Sequence, residues 1–247
     1  MVYTAPNGGA YRLYDRLLGE YNVLIAGTIG SGKSVTECGI IYNLVNKFTP
    51  HDGDLYLIDP KLVELEEWRS LPHVRGYADN LEDALTLLDE VQARMMKRYK
   101  VMKDRGEKVF SGSDVYVLID EMADLMIADK KGFSTRLQRI LQLGRAAKIH
   151  LICCTQSASR VTIPAAVGIG FTCCVGLHAA TAIESRQIIG KAGCEALPLY
   201  GKAIIKWQNG EYETVDVPMY TPAHHSAMRN YYREQRVTYY SNLQHSM

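Results

Sequence analysis

Three features of the sequence predict an α/β fold built on a mostly parallel sheet. The first is NVLIA (22–26) running straight into GTIGSGKS (27–34): a strand, a glycine-rich loop and the start of a helix. The second is a set of short runs apolar enough to be strands buried on both faces: DLYLID (54–59), VYVLI (115–119), IHLICC (149–154) and FTCCV (171–175). The third is the helical patterning between those runs. Strands that alternate with helices bury their apolar faces most simply as a parallel sheet with helices packed on it.

Residues 1–20 are a short lead-in with Tyr and Gly. The loop after the first strand fits the phosphate-binding pattern of Gly27, four residues, then Gly32, Lys33 and Ser34. Glycines let the backbone curl until several N–H groups aim at one phosphate, and the following helix adds its positive end. The expected cradle is Gly27, Thr28, Ile29, Gly30, Ser31, Gly32, Lys33, Ser34 and Val35. Lys33 suits the β- and γ-phosphates and Ser34 suits Mg²⁺, so ATP and Mg²⁺ are the implied ligands. Behind the loop, Cys38, Ile41, Val45 and Phe48 recur at helical spacing.

After the strand at 54–59, the clearest helix runs from Leu81 to about Met102. Leu81, Leu85, Leu88, Val91, Met95, Tyr99 and Met102 form its stripe, and Asn80 is its cap. VYVLIDE (115–121) then places two acids at the carboxyl end of a strand, where ligands sit in open α/β sheets. Asp120 suits coordination of Mg²⁺ and Glu121 suits a base for the attacking water. A solvated loop carboxylate is the alternative for either, and the phosphate loop upstream favours the catalytic one.

A further helix spans Phe133 to Leu143, with Leu137, Ile140 and Leu141 inward. Arg145 lies just past it. There it complements the helix dipole, or reaches a neighbouring subunit's nucleotide as an arginine finger; composition does not choose. Gln156 closes IHLICCTQ, as a sensor of the γ-phosphate and its water or as a loop-capping amide. Late in the chain, KAIIKW, Asn209-Gly210 and EYETVDV read as an edge β-hairpin with a tight primed turn. From 221 to 247 the chain turns polar and aromatic, a final helix or a flexible tail. The expected organisation is therefore a lead-in (1–20), one ATPase domain (21–220) and a tail (221–247).

Composition narrows the function classes. The chain has 247 residues, 47% of them hydrophobic, enough to bury a core. A formal net charge of +1 excludes a protein that coats DNA through global positive charge, but not a motor that grips it with a few residues. No apolar run approaches a membrane span and nothing resembles a signal peptide, so a cytoplasmic protein is expected, with any membrane tether supplied by a partner or a longer parent. The six cysteines form no C-x-x-C pair. Cys153-Cys154 and Cys173-Cys174 fall in strand-like runs and should point to opposite faces as buried reduced thiols, with a zinc site the lesser alternative.

Six blocks, in order, resemble the FtsK/SpoIIIE DNA translocases: GTIGSGKSV, LIDPKLVELEEWRSLPHV (57–74), MMKRYKVM (95–102), VLIDEMADLM (117–126), GRAAKIHLICCTQ (144–156) and ESRQIIG (184–190). The resemblance covers roughly residues 20–207, the RecA-like motor domain of those proteins. It implies an ATP-hydrolysing ring, hexameric, around double-stranded DNA. It implies Lys33 and Ser34 on phosphate and Mg²⁺, Asp120 and Glu121 as metal-binding and catalytic acids, Gln156 as sensor, Arg145 as the trans-acting arginine, and Arg186 as a DNA-facing loop arginine. A surface arginine beside Glu184 is the plainer reading of Arg186.

The departures are specific. The family's sensor Gln is followed by Arg-Pro; here Ser157-Ala158-Ser159-Arg160 follows, with Arg160 the candidate replacement on DNA. The family's lysine four residues before Arg186 is Ala182. Membrane segments, the separate α-domain and the winged-helix module are not in the sequence, so the expectation is a compact stand-alone motor or an excised one. The other classes weighed are a protein-secretion motor of the type VII kind, a viral genome-packaging ATPase, and a non-catalytic ring, which the intact Lys33, Ser34, Asp120 and Glu121 disfavour.

Overall fold

Among the residues described by the computed structural model, which are 12–156, 158–159, 162–220 and 226, eight strands share one sheet. In chain order they are β1 (Asn22–Ala26), β2 (Gly53–Ile58), β3 (Val74–Ala78), β4 (Asp114–Ile119), β5 (Ile149–Thr155), β6 (Cys173–Gly176), β7 (Lys202–Lys206) and β8 (Tyr212–Asp216). Their order across the sheet is β3-β2-β4-β5-β1-β6-β7-β8. Every pairing from β3 to β6 is parallel, and the two pairings of β7 are antiparallel. The mostly parallel sheet with an edge hairpin is thus the observed architecture.

The helices are α1 (Arg12–Gly19), α2 (Lys33–Lys47), α3 (Leu81–Arg105), α4 (Met122–Ala128), α5 (Lys130–Leu143), α6 (Ala165–Gly168) and α7 (Ala182–Ile189). They divide between the two faces. On one, α3 and α5 bring Leu88, Val91, Met95 and Phe133 against Leu24, Val117 and Leu151. On the other, α1 and α2 bring Tyr14, Leu17, Ile40 and Leu44 against Val23, Ile25 and Leu118, with Trp68 beneath. Neighbouring strand residues alternate between these cores, and the cysteines show it: Cys153 and Cys174 belong to the first, Cys154 and Cys173 to the second. All six thiols are free and buried, and burial pushes Cys174 up to about 11 and Cys38 up to about 12. They are therefore poor nucleophiles at neutral pH.

The Asn80 cap accepts from the Asp83 amide at 2.9 Å, as its position in the sequence suggested. Three features differ from expectation. Residues 12–19 of the lead-in form α1, which packs on α2 and ties to it through Asp15, on Asn43 and Lys47. β3 was missed because VRGYA is an edge strand with one bonded neighbour, half-exposed and not apolar; Arg75 holds it to β2 through Asp54. The hairpin turn is not a two-residue primed turn. Trp207 pairs with Glu211 and Gly210 is left-handed at φ 85°, so three residues, 208–210, form the loop. The tail from 221 lies outside the described residues apart from Ser226.

Candidate active site

Parallel pairing in register brings the carboxyl ends of the central strands to one edge of the sheet. Ile58 lies opposite Ile119, Ile119 opposite Cys153, and Ala26 opposite both Thr155 and Gly176. The residues just beyond those positions are Asp59, Asp120 with Glu121, Gln156, the glycine loop and His178. The register alone therefore assembles most of the candidate site.

The loop from 27 to 32 folds as its composition requires. Gly32, the N-cap of α2, sits at φ 94°, a left-handed conformation that favours glycine. A side chain on Gly27 would meet Ser31 Oγ at 2.6 Å and Leu177 Cβ at 2.7 Å, so only glycine fits there. The Thr28 amide is fixed to the His178 carbonyl at 2.9 Å. α2 makes its first backbone bond from Thr36 to Gly32, so its leading amides have no partner within the helix and face the end where the loop curls. Ile29, at the loop tip, is exposed; Ser34 and Val35, in the first turn of α2, are half-buried.

Lys33 is buried, and its ammonium donates to two loop carbonyls, Gly27 O at 3.0 Å and Thr28 O at 3.2 Å. Among the described residues no carboxylate bonds it, and burial pulls its pKa below the usual lysine value. A buried cation held only by neutral carbonyls fits an anionic ligand. The nucleotide's phosphates are such a ligand, and the cradle of amides around Lys33 matches them.

Mg²⁺ is tested by the acids. Among the described residues no group of three or more His, Cys, Asp or Glu could hold a metal by itself. Asp120 is buried, and that burial pushes its carboxyl up to about 6. Asp120 at the carboxyl end of β4, with the Ser34 hydroxyl in the first turn of α2, fits a cation that takes one carboxylate and completes its shell with phosphates and water. Asp120 and Ser34 would hold it, and it would offset charge on the phosphates.

Glu121 is buried, at 3% exposure, and held on both oxygens. The Thr155 hydroxyl donates to its Oε1 at 2.8 Å. The Gln156 amide donates to both oxygens at 3.2 Å, and the Lys61 ammonium to Oε2 at 3.2 Å. Gln156 thus reaches Glu121 through its backbone and, exposed just past β5, lines a cavity of about 200 Å³ with Gly27, Thr28 and Ile188. Thr155 and Lys61 were not singled out from the sequence. Lys61 was detectable, since Asp59-Pro60-Lys61 follows an apolar strand as Asp120 does.

Glu37 was also missed. It lies one turn along α2, wholly buried near Asp120 and Cys154, and burial, then the Asp120 charge, pushes its carboxyl well above the usual range. Folding therefore favours its protonated form. Above its ordinary value of 4.5 the unfolded chain releases this proton first, so Glu37 makes stability fall as pH rises. Glu37→Gln is expected to raise the melting temperature, more at pH 8 than at pH 5, in a calorimetric scan at the two pH values. An equal change at both would remove this account of Glu37.

The predicted arginines fall elsewhere. Arg145 is exposed in the turn between α5 and β5, 5.8 Å over the Tyr21 ring, and so at the amino ends of β1 and β5. The length of β1, about 16 Å at the usual rise per residue, separates it from its own phosphate loop. Arg186 is exposed on α7 and donates to the Ala182 carbonyl of its own helix at 3.4 Å. Arg160 lies outside the described residues.

Comparison with known proteins now decides the family. The FtsK/SpoIIIE family profile matches residues 13–116 and 112–160. This chain belongs to the FtsK/SpoIIIE family. DNA translocase FtsK of Staphylococcus aureus is 33% identical over 196 residues, covering 71% of this chain and 25% of its own length. That of Staphylococcus epidermidis is 32% identical over 217 residues, covering 79% and 27%. The FtsK/SpoIIIE chain described here thus spans about a quarter of the curated relatives it matches. Among solved structures, the pCW3 conjugation coupling protein TcpA, with ATPγS, is similar at TM-score 0.78 and 20% identity, over 89% of this chain and 66% of that one. EssC (ATPases 2 and 3) of Geobacillus thermodenitrificans is similar at 0.74 and 17%, over 88% and 45%. Both support the P-loop ATPase fold.

Proposed function

We propose that this chain is the motor of an ATP-driven translocase of double-stranded DNA, working as a hexameric ring. ATP and Mg²⁺ occupy the edge formed by the glycine loop, Ser34, Asp120 and Glu121. Lys33 binds phosphate, Glu121 accepts the proton of the attacking water, and the water attacks the γ-phosphorus as the bond to ADP breaks. Gln156 reports on the γ-phosphate from the strand beside Glu121.

The observation that carries the ring is the position of Arg145. It stands at the opposite end of the sheet from its own phosphate loop, so it can stabilise phosphoryl charge only in a neighbour's site. Family membership supports DNA as the cargo, since the curated relatives named above are DNA translocases. No described helix is long and apolar enough to cross a membrane. We place the motor on the cytoplasmic side as a proposal, with any membrane tether supplied by a partner or by a longer parent chain.

The test is displacement of a triplex-forming oligonucleotide from linear duplex DNA. ATP-dependent displacement, absent with a non-hydrolysable analogue, is expected. ATP turnover stimulated by a secreted polypeptide and not by DNA would favour a protein-secretion motor instead.

DNA contact is carried by Arg186, exposed on α7, together with Arg160, four residues after Gln156 in the sequence. Phosphate contacts position without reading sequence. Arg186→Ala is expected to weaken binding equally on unrelated duplexes and to reduce the slope of log affinity against log salt by about 0.9 per lost phosphate contact. Arg160→Ala should act in the same direction. Unchanged affinity and slope in the double variant would remove both from the DNA surface.

A further inference from the structure

Three donors engage the two oxygens of the Glu121 carboxylate: the Thr155 hydroxyl on Oε1, the Gln156 amide shared between both, and the Lys61 ammonium on Oε2. Of the carboxylate's roughly four acceptor sites, those on Oε2 are shared by Lys61 and the Gln156 amide, so Lys61 competes there with an approaching water. Of the three donors, the Gln156 amide is fixed by the backbone and the Thr155 hydroxyl is wholly buried. Lys61 differs. Its side chain is 35% exposed, and it has a second carboxylate in reach, Asp124 Oδ2 at 3.6 Å in the first turn of α4.

The loop that carries Lys61 is built to hold it there. Asp59, wholly buried, accepts the amides of Lys61 at 3.2 Å, Glu64 at 3.1 Å and Leu65 at 2.8 Å. Leu62 is held at φ 58°, a left-handed conformation unfavourable for a branched residue. Strain kept by surrounding bonds marks a position under functional constraint. With its backbone pinned, Lys61 retains only side-chain freedom, between Glu121 and Asp124.

We propose that Lys61 is a positioning residue that governs the availability of Glu121 as a base. On Glu121, its ammonium occupies Oε2 and blocks the approach of water to that oxygen. On Asp124, it leaves Oε2 free for the attacking water. The proton passes from water to Glu121 while Lys61 stays charged throughout. This rests on the reading of Glu121 as the base.

The test is steady-state ATP turnover by the full chain with Mg²⁺, with nucleotide affinity from a fluorescent ATP analogue and melting temperature measured alongside. Lys61→Ala is expected to raise kcat about two- to fivefold, the factor an ion pair of this exposure can impose, with affinity unchanged. Lys61→Arg, which keeps a cation in place, should reverse that rise. Asp124→Asn, which removes the second seat from an exposed position, should lower kcat by a similar factor, and Lys61→Ala/Asp124→Asn should behave as Lys61→Ala alone. A purely structural role for Lys61 would instead lower kcat in Lys61→Ala and leave Asp124→Asn at the wild-type rate. Either result overturns the proposal. Glu121→Gln separates the two levels. If it keeps turning over, the base assignment falls and the role of Lys61 falls with it. If it is inert while Lys61→Ala shows no rise, the base stands and the role of Lys61 alone is refuted.

Discussion

Replacing Arg145 with alanine is expected to cut ATP turnover by about 10³-fold or more, about 4 kcal/mol of transition-state stabilisation, while ATP still binds. The expectation follows from where the side chain stands. Arg145 lies at the amino ends of β1 and β5, over Tyr21, and the phosphate loop lies at the carboxyl end of β1. It stands away from its own phosphate loop, so on the proposed ring reading the loss arises at a neighbour's site. Mixing subunits makes this decisive. Lys33→Ala removes the buried cation of the phosphate loop and should be inactive by itself. Co-assembled with Arg145→Ala, it should regain measurable turnover, because some interfaces then join an intact phosphate loop to an intact arginine. Rings shown to be mixed that recover nothing would contradict an arginine acting between subunits.

The second large effect is expected at Glu121. Glu121→Gln should lower single-turnover hydrolysis by about 10²- to 10⁴-fold. ATP affinity should stay close to wild type, because Glu121 bonds Thr155, Gln156 and Lys61 and not the phosphate loop. The isosteric amide still accepts one of these donors, so the fold survives; it cannot accept a proton from water. Measuring bound ATP and released phosphate in the same sample separates chemistry from binding. Weak binding by this variant would move Glu121 from the chemical step to nucleotide capture.

Most of this site was legible in the sequence because strands end where chemistry begins. Three apolar runs followed by GTIGSGKS, by Asp120-Glu121 and by Gln156 give three neighbouring strands of a parallel sheet, and the register then brings their ends together. The central strands were legible for the same reason: burial on both faces makes them uniformly apolar. β3 was not, because an edge strand carries Arg75 and exposed positions and has no periodicity to detect. The clamp on Glu121 was not legible either. Thr155 and Lys61 come from two other strands' ends, and only the register of β4 between β2 and β5 shows that both reach one carboxylate. Glu37 looked like one more polar residue on a helix; its burial beneath Asp120 depends on how α2 packs on the sheet. The role of Arg145 could not be read from composition, since the same residue at the end of α5 serves a dipole or a neighbour equally well.

The most direct test of the central claim is ATP turnover measured with and without linear duplex DNA, across a range of protein concentrations. A motor whose sites are completed between subunits around DNA predicts a rate per chain that rises with protein concentration and rises again when duplex is added, with both rises lost in Arg145→Ala. A rate per chain independent of concentration and indifferent to DNA would contradict the account.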